Sequence, residues 1–99
     1  MKKILKNFLW LNLLLLANVA VAGTDQILSN EALKGFNDEY LVAKTNKAFA
    51  QSPSGAWGWV SDRTTRKHAI LGAIAECKQF LENGEPACKI ININDKWAK

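Results

Sequence analysis

One histidine, one tyrosine and two prolines are all that the 99 residues hold of those types. Each scarcity excludes something. His68 stands alone, with no nucleophile at a readable spacing, so no nucleophile–base pair is written in the chain. It belongs to the start of a helix and is expected at the surface. Cysteine is limited to Cys77 and Cys88, and two thiols with one imidazole do not make a zinc site. No phosphate loop and no Ser/His/Asp order of a hydrolase appears. Ser52, Ser54 and Ser61 read as turn and strand-end residues. Asp25, Glu31, Asp38 and Glu39 fall in a weakly patterned stretch. No catalytic residue, cofactor or metal ligand is therefore expected.

Basic runs are also missing once the N-terminus is set aside. Lys2, Lys3 and Lys6 precede a Leu-rich run, Phe8 to Ala17, broken only by Asn12. Ala20-Val21-Ala22 then supplies small residues at the spacing of a cleavage site. That is the three-part plan of a secretory signal peptide covering residues 1–22, cut before Gly23. The asparagines at 7, 12 and 18 argue against an uncleaved membrane anchor. The formal net charge of the whole chain is +4. Three of its thirteen basic residues and none of its nine acidic ones precede Gly23, so the mature piece carries ten against nine. Beyond Arg63, Arg66 and Lys67 no basic cluster survives, and nucleic acid is not an expected partner. The membrane is met only through the signal peptide.

The remaining 77 residues make a thin core that commonly needs a staple. Export makes a Cys77–Cys88 disulfide the expected one. Residues 23–45 form a short helical leader segment, with Leu28, Ala32, Leu33, Phe36, Tyr40 and Leu41 on one side and Ser29 or Asn30 as the cap. Ser52-Pro53-Ser54-Gly55 predicts a type I turn closed by a glycine bulge, and hence a hairpin in residues 46–61. The turn sets the register: Gln51 opposes Trp57, Ala50 opposes Gly58, Phe49 opposes Trp59, Ala48 opposes Val60. One face then carries only small residues, and the other carries Phe49, Gln51, Trp57 and Trp59. A helix capped by Asp62, Thr64 or Thr65 and ended at Asn83-Gly84 follows, with Ile70, Ala73, Ile74, Cys77, Phe80 and Leu81 in one stripe. The last strand is expected to turn Cys88, Ile90 and Asn92 to that helix, and Lys89, Ile91 and Ile93 away. The fold class is α+β: a β-β-α-β domain over 46–99, a three-stranded, mainly antiparallel sheet with one long helix on one face. A right-handed crossover places the third strand beside the first.

KAFAQSPSGAWGWVSD, the Ala-rich helix with Ala73 four before Cys77, and PACKIININDKW together resemble a small domain of unknown function from exported proteins of Gram-negative bacteria. The resemblance covers about residues 46–97. It implies the fold, export and the disulfide, and carries no catalytic residue.

The aromatic face is the sharpest feature. Residues 26–44 are expected to cover most of it, because a large open apolar patch is rare on a monomer. Trp57, Gln51 and Trp59 are the candidate binding surface, with Trp59 expected deeper and Trp57 and Gln51 nearer the open end. The expected function is a non-catalytic periplasmic or secreted binding module, an inhibitor or envelope accessory. Its partner would be an envelope or secreted protein or, second, a glycan stacked on Trp57. The alternative, a small hydrolase of envelope polymer, has little room for a cleft.

Overall fold

The computed structural model describes residues 22–99, so the expected signal peptide, residues 1–22, lies outside the described residues except for Ala22. After a single turn of 3-10 helix, Thr24–Gln26, helix α1 runs over Asn30–Gly35. Ser29 caps it, its hydroxyl accepting from the Ala32 amide at 3.1 Å. The chain then widens into a π-turn, Phe36–Tyr40, in which Leu41 N–H donates to Phe36 O at 3.0 Å.

Strands β1 (Ala48–Gln51) and β2 (Trp57–Val60) follow as a hairpin. Gly55, at φ 104°, closes the turn, with its N–H on Ser52 O at 2.9 Å and Ser52 N–H on Ala56 O at 2.8 Å. All four expected strand pairs are found. Positive φ at Gly55 is why glycine follows the serine there.

Helix α2 covers Arg66–Lys78, capped by Thr65, whose hydroxyl accepts from His68 N–H at 3.0 Å. It ends earlier than the stripe suggested. Gln79, Phe80 and Leu81 N–H reach back three residues instead of four. This tighter winding rotates Phe80 off the stripe, and Phe80 is 65% exposed.

Strand β3 (Lys89–Ile93) and a short β4 (Lys96–Trp97) complete a four-stranded antiparallel sheet of order β2-β1-β3-β4. The third strand does flank the first, as expected. The fourth was not anticipated. Asn94 and Asp95, both at positive φ, form the two-residue turn that joins it.

One expectation about β3 fails for a definite reason. Its register against β1 slips between Phe49 and Ala50. Ile91 is the extra residue of a bulge, and a bulge reverses the alternation beyond it. Asn92 therefore lies with the aromatic side and Ile93 with the helix side, the opposite of the simple alternation.

Two cores result, one on each face. Under α2 lie Ala48, Ala50, Val60, Ala69, Ala73, Cys77 and Cys88. A Cβ on Gly58 would stand 2.6 Å from Cys77 N, so helix and strand touch by backbone. The Cys77–Cys88 disulfide spans Cα atoms 6.2 Å apart and ties the helix end to β3. On the other face Ala32, Phe36, Tyr40 and Phe49 are fully buried. Phe49 meets Phe36 and Tyr40 edge-on at 5.4 and 5.5 Å, and Phe36 stacks on Trp97 at 5.1 Å. The segment from Gln26 to Leu41 does cover the aromatic face.

Candidate functional site

The cover is held by polar side chains that sequence alone marks as surface groups. Gln51, expected beside Trp57 as part of a binding surface, is 7% exposed. Its Oε1 accepts from Leu28 N–H at 2.9 Å and its Nε2 donates to Gln26 O at 3.0 Å. It fastens the leader segment to the sheet, with both of its side-chain polar atoms engaged there. Lys47 is 1% exposed. Its Nζ donates to Tyr40 O at 2.8 Å and Leu41 O at 3.0 Å, pairs with Asp95 at 2.9 Å, and lies 4.8 Å from the Tyr40 ring centre. The Tyr40 hydroxyl donates to Asn92 Oδ1 at 2.8 Å. Burial pushes the Tyr40 pKa well above the usual phenol range, so the neutral, donating form is the one the fold holds.

The serines are structural as well. Ser52 is fully buried; its Oγ donates to Pro86 O at 2.7 Å and accepts from Ser54 N–H at 3.1 Å. The turn is thus tied to the connection that carries Cys88. Pro53 and Ser54 are exposed, and Ser54 Oγ donates to Glu85 Oε1 at 3.2 Å. His68 is exposed, with Nδ1 2.8 Å from Thr64 Oγ1. Among the described residues no three His, Cys, Asp or Glu side chains gather as a metal site, and no helix is long and apolar enough to cross a membrane.

Both hairpin tryptophans are half-buried. Trp57 stacks on Phe49 at 5.7 Å with 7° between planes, and its far edge meets the backbone of Gly35. Trp59 touches Tyr40 edge-on at 6.0 Å. What they share is position. Strand β2 is the edge of the sheet, and a groove of about 270 Å³ runs along it, lined by Trp57, Gly58, Trp59, Glu76 and Phe80. Three of these were visible in the sequence hairpin. Glu76 and Phe80 were not, because only the docking of α2 brings them beside β2.

The hydrogen-bond phase of that edge follows from the turn. Ser52 and Ala56 exchange a backbone bond, and hydrogen-bonded pairs alternate along an antiparallel ladder. Ala50–Gly58 and Ala48–Val60 are therefore the bonded pairs, and the N–H and C=O of Trp57 and Trp59 point outward. A larger recess of about 430 Å³ lies by the last residues, rimmed by Arg66, Lys96 and Lys99. Those cations are exposed side chains, and no buried polar group is described within it. Comparisons with protein-family models, curated proteins and solved structures return no match for this chain.

Proposed function

We propose that the mature domain is a non-catalytic exported binding module, working in the periplasm or outside the cell on an envelope or secreted protein. The observation that carries this reading is the groove at the β2 edge. It combines two half-buried indoles, an exposed phenyl ring at Phe80 and outward-facing peptide groups. Aromatic side chains at a recessed site are the usual anchors of protein interfaces. Export is supported by the charged, apolar and small-residue plan of residues 1–22 and by the disulfide, which belongs to an oxidising, non-cytoplasmic compartment. The absence of a nucleophile–base pair in the sequence supports the non-catalytic part.

Phe80→Ala is the clean probe, since Phe80 supports neither core. The mature domain should retain a partner from envelope extract, and Phe80→Ala should weaken that complex by about tenfold or more with an unchanged melting curve. Turnover of envelope polymer that is lost in His68→Ala or in acidic-residue variants would replace this reading with a hydrolase.

A further inference from the structure

We propose that the groove captures an extended segment of the partner by strand addition to β2, and that it selects an apolar–basic–apolar sequence. This rests on the binding-module reading above and specifies its chemistry. Among the described residues the outward peptide groups of Trp57 and Trp59 form one short, unpaired ladder at the sheet edge, the template on which an added strand forms its backbone bonds.

The groove walls decide what kind of strand fits. The indoles of Trp57 and Trp59 stand on one side of the edge, and Glu76 and Phe80 on the other. The edge is therefore recessed. A second copy would bring its own recessed β2 with the same two walls, and wall would meet wall before the edges came into bonding distance. A single extended segment has no such walls and enters.

The side chains of that segment are fixed by the pleat. Laid antiparallel, a residue opposite Gly58 points to the α2 side, and its two neighbours, opposite Trp57 and Trp59, point to the indole side. Gly58 has no side chain, and Glu76 Cβ lies 2.7 Å from where its Cβ would stand. The central residue of the segment thus arrives above Glu76 and beside Phe80. Among the described residues Glu76 is the only charged group lining the groove and has no ion-pair partner. A Lys or Arg there supplies the complementary charge and lays its methylene stem on Phe80. The neighbours lie along the indoles and are large and apolar.

The test uses a capped peptide with a Val-Lys-Val centre in an otherwise Ser/Thr sequence, titrated into the mature oxidised domain and followed by amide NMR. Binding should slow exchange of the Trp57 and Trp59 amides. The backbone of each valine bonds to β2 while that of the lysine points away. N-methylation of the two valines should therefore weaken binding by tenfold or more, about 1.4 kcal/mol, and N-methylation of the lysine should leave it nearly unchanged. Val-Glu-Val should bind worse than Val-Lys-Val, and Glu76→Lys, at an exposed position, should reverse that order. Equal tolerance of methylation at all three positions would overturn strand addition, as would a β2-paired dimer in sedimentation. If no peptide binds while an envelope partner still depends on Phe80, strand addition falls and the binding-module reading stands. If neither binds, both fall.

Discussion

Lys47 shows how much a single residue carries here. Its ammonium joins two carbonyls of the covering segment to the carboxylate of Asp95 in the β3–β4 turn. Lys47→Met keeps the stem and removes the donors. Asp95 is 52% exposed on its side chain and returns to water, the Tyr40 carbonyl keeps the Ala43 N–H at 3.1 Å, and the Leu41 carbonyl loses its Lys47 donor. The expected loss is about 1–3 kcal/mol by urea unfolding, the scale of removing a charged donor from partly and fully buried acceptors. A second residue sets the alkaline limit. Tyr40 is the only tyrosine in the chain, and burial raises its pKa in the folded state. Above about pH 10 the unfolded phenol gives up its proton while the folded one keeps it. The unfolded state then binds fewer protons, so stability falls as pH rises past that value. Phenolate absorbance should appear only together with unfolding, and Tyr40→Phe should make the pH slope shallower. Titration of Tyr40 near pH 10 in a fully folded protein would show that the hydroxyl is not buried. Neither role was legible in sequence. A lysine opening a strand is ordinarily solvated, and only the arrival of the π-turn from one side and Asp95 from the other closes water out.

At the scale of elements, two glycines mark where backbone meets neighbour. Gly35 has ordinary helical angles, φ −60° and ψ −40°, so no conformational reason demands glycine. The reason is steric: a Cβ would stand 2.9 Å from the Trp57 ring. Alanine in a helix is worth about 1 kcal/mol over glycine, so propensity alone predicts that Gly35→Ala stabilises. We expect the reverse, a loss of about 1–2 kcal/mol from overpacking, with a shift in Trp57 fluorescence. A gain in melting temperature would show that α1 sits further from the indole. Gly58→Ala should be worse, because its Cβ meets the α2 backbone at Cys77, which cannot step aside as a side chain can. That close approach was foreseen from the hairpin register, since Ala48, Ala50 and Gly58 share one face. The register was legible because Ser-Pro-Ser-Gly dictates it locally. The β3 bulge was not, since nothing in KIINI marks Ile91 as the extra residue. The bulge is fixed by pairing with β1 and by the bond between Asn92 and Tyr40. The Asn94-Asp95 turn was a usable local signal for β4.

The described residues form three thin layers: covering segment, sheet and α2. Neither core is large, and the Cys77–Cys88 bond fastens α2 to the last hairpin. Cys88→Ser should lower stability by about 2–4 kcal/mol, measured by denaturant melts, and two alkylatable thiols in protein taken from the periplasm or medium would refute the bond. Mature protein from that compartment should begin at Gly23 by intact mass; full-length chain in a membrane pellet would refute cleavage. What the sequence determined by itself is what local physics controls: the hairpin turn and its register, the two helix starts with their few candidate caps, and the small-residue face of the sheet; the cysteine pair followed from its count and compartment. What only the tertiary structure decided is which groups lose their water. Gln51, Lys47, Ser52 and Asn92 are polar in any sequence scale, yet all four are buried because segments distant in the chain close over them. The groove is of the same kind: Trp57 and Trp59 came from one strand, but Glu76 and Phe80 join them only where α2 crosses β2 and its tightened last turn lets the phenyl ring swing outward.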